Sequence, residues 1–170
     1  VIVNGTDNIL ISSFIGLGIL GLYSNYSLII VSVIALLSQV VSALSASVGN
    51  LYVNSTKEDV FRVYKRVQYI NTFISIFVML SFCMLINNFI EVWLGKEYVL
   101  DMSFVIVITF SNLVRLLRNT NLVFINACGL YMKDKWRPII EVTINLAASI
   151  LLVKSLGLKG IFIGTLISTV

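Results

Sequence analysis

The stretch VQYINTFISIFVMLSFCMLINNFIEVW, residues 67–93, decides how the chain has to be read. It is too long for a strand of a membrane barrel, which takes about 9–11 residues, and it lacks the alternation of apolar and polar side chains that such a strand requires. As a helix rising 1.5 Å per residue it is long enough to cross a hydrocarbon core of about 30 Å, a distance that takes about 20 residues. Five further apolar segments flank it, at about 1–14, 27–53, 102–132, 138–153 and 160–170, separated by short polar stretches. The expected fold is therefore all-α: a polytopic transmembrane helical bundle over residues 1–170, with loops at 54–66 and 133–137. The first and last segments are too short to span and look cut off, so the sequence reads as a piece of a larger protein.

Composition points to the same solvent. The chain is 58% hydrophobic and 12% charged, with one Pro and no His, and its mean hydropathy is +0.99, which places it among membrane proteins. The net charge of +4 falls in clusters between apolar runs, so it is read as the positive-inside signal and not as a nucleic-acid footprint. One set of loops carries seven cations, Lys57, Arg62, Lys65, Arg66, Lys133, Lys135 and Arg137; the opposite set carries three, Lys96, Lys154 and Lys159. The seven-cation side is expected to be cytoplasmic, with the turn at 17–26 facing outward. Trp93, Tyr98, Tyr131 and Trp136 fall near predicted membrane interfaces, where amphipathic rings collect. Cys83 and Cys128 stand far apart with no CxxC spacing and no His nearby, so neither metal nor redox chemistry is implied.

One segment breaks the apolar pattern near its middle. In TFSNLVRLLRNTNLVFINACGL, residues 109–130, Arg115 and Arg118 lie near the expected bilayer centre, where each costs about 2.5–3.5 kcal/mol. At 100° per residue Asn112, Arg115, Asn119 and Asn126 share an arc of about 60°, with Arg118 about 60° further round. That stripe needs a cavity or polar partners. Candidate partners are Asn4, Asp7 and Asn8 on the first segment, and Glu141, Asn145 and Ser149, spaced four apart on one face of the fifth. Two readings stay open: acid–arginine bridges that tie helices together, or a hydrated cleft that holds an anionic head group through the guanidinium fork. Ala35, Ser38, Ser42, Ser45, Ala46 and Gly49 form a small-residue strip, and Gly160 with Gly164 makes a GxxxG; both are read as packing surfaces. The stretch 54–66 mixes charges with Val60, Phe61, Val63 and Tyr64, and is read either as a solvated connector or as a short interfacial helix meeting anionic lipid. No nucleotide-binding, zinc-hydrolase or nucleophile-elbow motif is present, so no catalytic residue, metal ligand or cofactor is assigned, and transport outranks catalysis.

The motifs TDNILIS (6–12), GLYSNY (21–26), ASVGN (46–50), WLG (93–95), NACGLY (126–131) and RPIIEVTINLAASILLVKSLGLKGIFIGT (137–165) resemble those of polysaccharide biosynthesis proteins that flip O-antigen or capsule repeat units. Such flippases are members of the multidrug/oligosaccharidyl-lipid/polysaccharide exporter superfamily. The resemblance implies the second six-helix bundle of a two-bundle transporter in the bacterial cytoplasmic membrane, working by alternating access. It implies an undecaprenyl-diphosphate-linked oligosaccharide as substrate, contacted by Asp7, Asn8, Asn112, Arg115, Arg118, Asn119, Glu141 and Asn145. The implied partners are this lipid-linked sugar, membrane lipid, the N-terminal half of the same protein and polysaccharide polymerase machinery, with no nucleic acid. A cation-coupled multidrug exporter of the same superfamily and a non-transporting membrane scaffold are the alternatives; the arginine pair argues against the first.

Overall fold

The computed structural model describes residues 2–169, with side chains for all of these except 2–6, 131 and 133. The expectations placed on Asn4, Tyr131 and Lys133 concern side chains outside that set. The described residues form helices α1 (Ile2–Phe14), α2 (Leu17–Ser42), α3 (Ser45–Asn54), α4 (Lys57–Trp93), α5 (Met102–Ala127), α6 (Arg137–Leu156) and α7 (Leu158–Thr169), with short 3-10 turns at Lys96–Tyr98 and Leu130–Lys133. They include no strand. Four stretches are long and apolar enough to cross a membrane: Leu17–Asn54, Lys57–Trp93, Met102–Ala127 and Arg137–Leu156. The protein is an all-α polytopic bundle.

The boundaries differ from expectation in three places, each with a local cause. The segment expected at 27–53 is two helices, because α2 begins at Leu17 and the chain bends at Ala43–Leu44 before α3. The turn expected at 17–26 is helical; the real break is Gly16, whose φ of 115° suits glycine alone. The loop expected at 54–66 shrinks to two residues, because Thr56 caps α4: its hydroxyl accepts from the Asp59 amide at 3.2 Å and donates to the Asp59 carboxylate at 2.7 Å. α4 is thus 37 residues, about 55 Å at 1.5 Å per residue, and outruns the hydrocarbon core. The surplus length matches its first ten residues, which carry Lys57, Arg62, Lys65 and Arg66.

α5 is the central helix, packed against α2, α3, α4 and α7, while α1 leans on α2, α6 and α7. The apolar core gathers on Ile11, Tyr26, Ile30, Met79, Ile108 and Ile161. Beside it the rings of Tyr23, Phe104 and Phe162 pack with centroids 5.1–6.2 Å apart, in tilted and edge-on arrangements that suit the ring quadrupoles. Polar side chains fasten α4 along α5. Asn71 donates to the Leu116 carbonyl at 2.9 Å, Gln68 to that of Leu117 at 3.0 Å, and the Tyr64 hydroxyl to Asn121 at 2.7 Å; such bonds hold helices together where burial against lipid gives no net drive. On the opposite face of α4, Phe73, Phe77, Leu80 and Met84 are exposed, a surface that only lipid or another apolar body can cover.

The two small-residue features part ways. Gly160 and Gly164 bring α7 onto α6 so closely that a Cβ at either position would run into Leu152 or Ser149. On the α2–α3 strip Gly49 meets the Ala127 carbonyl at the end of α5, while Ala35, Ser42 and Ala46 are exposed. The strip therefore serves as a packing surface only in part within the described residues: Gly49 against α5, with Ser38 and Ser45 half-buried.

Candidate functional site

The polar stripe of α5 opens onto a cavity of 510 Å³ between α2, α5, α6 and α7. Arg115, Arg118, Asn119, Arg137, Asp134 and Glu141 line it, with Ser38 of α2 on the far wall. Three guanidinium groups and two carboxylates thus share one space, and both Arg115 and Arg118 stand on helical turns that the sequence periodicity assigns to one side of α5.

Arg118 resolves as a bridge. Its Nη1 and Nη2 donate to Glu141 Oε1 and Oε2 at 3.1 and 3.0 Å, the planar fork geometry that gives a guanidinium its selectivity for carboxylates. Nη1 also donates to the Thr169 carbonyl, so a single side chain joins α5, α6 and α7. The pair keeps 21% and 22% of its side-chain surface exposed, and it also lines a second cavity of 310 Å³ with Arg137 and Ser168. Arg137, the first residue of α6, holds Asp134 of the preceding connection at 3.0 and 3.2 Å. Arg115 reaches Asn112 Oδ1 at 3.5 Å, a long contact, and Asn112 is fixed in turn by donating to the Ile108 carbonyl at 2.8 Å.

The remaining expected residues divide between this cavity and other places. Asn119 lines the cavity, and its Nδ2 is buried with no partner in the structure, which leaves a donor available to a ligand oxygen. Asp7 and Asn145 are buried at 3% and 0% exposure and meet on Thr165, whose hydroxyl lies 3.1 Å from Asp7 Oδ1 and 2.9 Å from Asn145 Nδ2. Asp7, Asn112, Arg115 and Thr165 line a narrow cleft, and Arg115 and Thr165 line the large cavity as well. Asn8 is not among them; it is exposed and faces a separate groove beside Leu17, Tyr23 and Ser24. Asn126, on the same arc as Arg115, is exposed at the end of α5.

Sequence reasoning missed Thr165, and it assigned Arg137 to a loop. Arg137 opens α6 with Pro138 in the first turn, a common helix-start signal, and this carries its side chain to the mouth of the cavity. Thr165 gave no signal: a threonine in a helix usually satisfies itself on the carbonyl four residues back, as this one does with Ile161 at 3.2 Å. Among the described residues no group of three His, Cys, Asp or Glu side chains is placed to hold a metal ion. Cys83 and Cys128 are free and half-buried.

Comparison with known proteins gives a family match. The family model described as polysaccharide biosynthesis protein matches residues 1–103, which takes in α1 to α4 and the start of α5. The motifs at 126–131 and 137–165 lie beyond the matched part. No curated protein and no solved structure matches the chain.

Proposed function

The chain belongs to the polysaccharide biosynthesis protein family, and from that premise we propose that it forms part of a transporter, and not an enzyme, which carries lipid-linked oligosaccharide repeat units across the bacterial cytoplasmic membrane for O-antigen, capsule or exopolysaccharide synthesis. The observation that carries the reading is the 510 Å³ cavity, which sets Arg115, Arg118 and Arg137 together among membrane-crossing helices. Cations held near the bilayer centre, as Arg115 and Arg118 are in this reading, are costly and are functional by default. The substrate is an undecaprenyl diphosphate sugar, whose head group cannot cross hydrocarbon unaided.

In this reading the diphosphate competes with Glu141 and Asp134 for the forks of Arg118 and Arg137, while Arg115 and the unpartnered Asn119 amide meet its remaining oxygens. Exchange of a carboxylate for a phosphate keeps each guanidinium bonded throughout, while the displaced Glu141 and Asp134 carboxylates turn to water in the cavity. The sugars lie in the cavity and the lipid tail stays outside among the exposed apolar faces. Opening of the cavity to each side in turn moves the head group. The seven-cation side, with the basic start of α4, faces the cytoplasm, and the exposed strip on α2 and α3 receives the N-terminal half of the same protein. Polymerase machinery takes the product on the outer side.

The test is complementation in cells that depend on the full-length protein for surface polysaccharide, with Arg115 and Arg137 each replaced by Gln and by Lys at matched membrane expression. Loss with Gln and partial recovery with Lys supports a cation that holds phosphate. Polymer at the parental level in all four variants overturns the reading.

A further inference from the structure

We propose that the basic start of α4 holds the head group of an anionic phospholipid, with Arg62 and Arg66 on its phosphate, the Tyr69 hydroxyl beside them and an acyl chain along Phe73, Phe77 and Leu80. The site is separate from the arginine cavity and needs only that the helices cross a membrane, so it goes beyond the transport reading and does not rest on it.

α4 is one continuous helix of 37 residues, so its basic start and its membrane span share a single set of faces. At 100° per residue, Arg62, Arg66, Tyr69, Phe73, Phe77 and Leu80 fall within an arc of about 80°. That arc lies opposite Asn71 and Met79, which are buried in the bundle. All six of its side chains are exposed, Tyr69 at 76% and Phe73 at 69%. Tyr69 and the exposed Trp93 stand about 36 Å apart at 1.5 Å per residue, which is the spacing of two aromatic belts around a core of about 30 Å. Arg66 is then one turn and Arg62 two turns beyond the belt, where long side chains reach back to the level of the lipid phosphates.

Charge complementarity selects the occupant. Arg62 meets Asp59 at 3.4 Å with 67% and 44% of the two side chains exposed, a surface pair that contributes little and that a phosphate replaces readily. Among the described residues Arg66 enters no ion pair. Glu58 and Asp59 stand in the first turn of α4, where carboxylates suit a helix N-terminus, and the Thr56 hydroxyl holds Asp59 there. Lys65 lies over the Phe61 ring at 4.4 Å and adds a third cation on the flank. A guanidinium pair in line with an apolar strip fits a molecule with one phosphate and acyl chains. A soluble phosphate would leave the strip uncovered, and an apolar helix would leave the cations unmatched. This alignment sets α4 apart from its neighbours: α2 and α3 carry no cation, and Arg115 and Arg118 of α5 line the cavity.

The experiment counts the lipids retained by the intact protein in detergent, by native mass spectrometry, with phosphatidylglycerol or phosphatidylcholine added at matched concentration. The parent should keep a phosphatidylglycerol molecule at concentrations where phosphatidylcholine is lost. Arg62→Gln combined with Arg66→Gln should weaken phosphatidylglycerol binding at least about tenfold, because each surface cation adds to the attraction for an anionic lipid. Arg62→Lys combined with Arg66→Lys keeps most of it. Both arginines are exposed, so these variants leave the packing of the fold intact. Arg115→Gln, in the cavity, should retain the lipid as the parent does. Equal retention of the two lipids by the parent overturns the site and leaves this face of α4 to unselective lipid or to another apolar segment of the protein. Parental retention by the Gln pair overturns it as well, and so does loss in Arg115→Gln instead, which would put the lipid in the cavity.

Discussion

Replacing Glu141 or Arg118 with Gln separates the two readings left open for the buried arginines. The pair makes two contacts at 3.0 and 3.1 Å with about a fifth of each side chain exposed. Exposed ion pairs contribute about 0.2–1 kcal/mol, and removal of one partner from a fully buried pair costs about 3–5 kcal/mol. A pair four-fifths buried falls between them, so each single variant should lose about 2 kcal/mol. For a chain of this length that is a fall in thermal midpoint of about 4–8 °C. The double variant should be no worse than the worse single, because two Gln amides can bond each other and strand no charge. Thermal unfolding of the intact protein in detergent, run as a double-mutant cycle, gives the coupling directly. Midpoints within about 1 °C of the parent for both singles, or losses that simply add, refute the reasoning and mean that water already screens the pair.

The same four proteins carry a functional readout. Glu141→Gln leaves the Arg118 fork in the cavity, still bonded to the Thr169 carbonyl, and should keep most of the surface polymer once expression is matched. Arg118→Gln removes the cation and should lose it. If both variants lose polymer in step with stability, Arg118 is a bridge only, and the phosphate-holding role passes to Arg115 and Arg137.

Four further outcomes follow from particular contacts. Gly164→Val drives a branched side chain into Ser149 on α6 and should cost about 1–3 kcal/mol by overpacking, read as a lower thermal midpoint. Tyr26→Phe removes the hydroxyl that donates to Asn87 at 2.8 Å and accepts from the Leu100 amide at 3.0 Å; with that amide left buried, the loss should be about 1–3 kcal/mol. In a Cys83→Ser, Cys128→Ser background, Asn119→Cys should react with a water-soluble maleimide while Thr120→Cys, fully buried on the next position, should not; equal reactivity refutes a hydrated cavity. Asp101, at the start of α5, is held below the usual carboxylate value of 3.8 by the Ser103 hydroxyl and then by Lys159. A depressed carboxyl stabilises the fold above its unfolded value and loses that contribution as pH falls through the folded one, so the midpoint gap between the parent and Asp101→Asn should stay level from pH 8 to about 5 and shrink only below about pH 4.

What could be read from the sequence was whatever a single helix determines. The apolar length of 67–93 and the 100° periodicity that groups Asn112, Arg115 and Asn119 are properties of one segment, and the structure bears out the all-α polytopic fold. The helix boundaries were less legible, although two of the corrections had signals in view: Gly16 as a residue free to take φ 115°, and Thr56 to Asp59 as a capping box that starts α4. The bend at Ala43–Leu44 had none, since neither Pro nor Gly stands there. The site divides in the same way. Arg118 and Glu141 were both visible as buried charges, but their pairing depends on how α6 crosses α5, which no periodicity encodes. The small-residue strip on α2 and α3 is used only in part, at Gly49 against the end of α5, because small residues permit close approach without saying which helix makes it. At Gly160 and Gly164 the permission is used by α6, and that close approach is what brings Asn145 and Ser149 against Thr165 and Ile161. The polar junction with Asp7 is therefore a product of the GxxxG packing, so Gly164→Val combined with Thr165→Val should lower the midpoint by less than the sum of the two single losses, and losses that simply add would show that the junction forms without that contact.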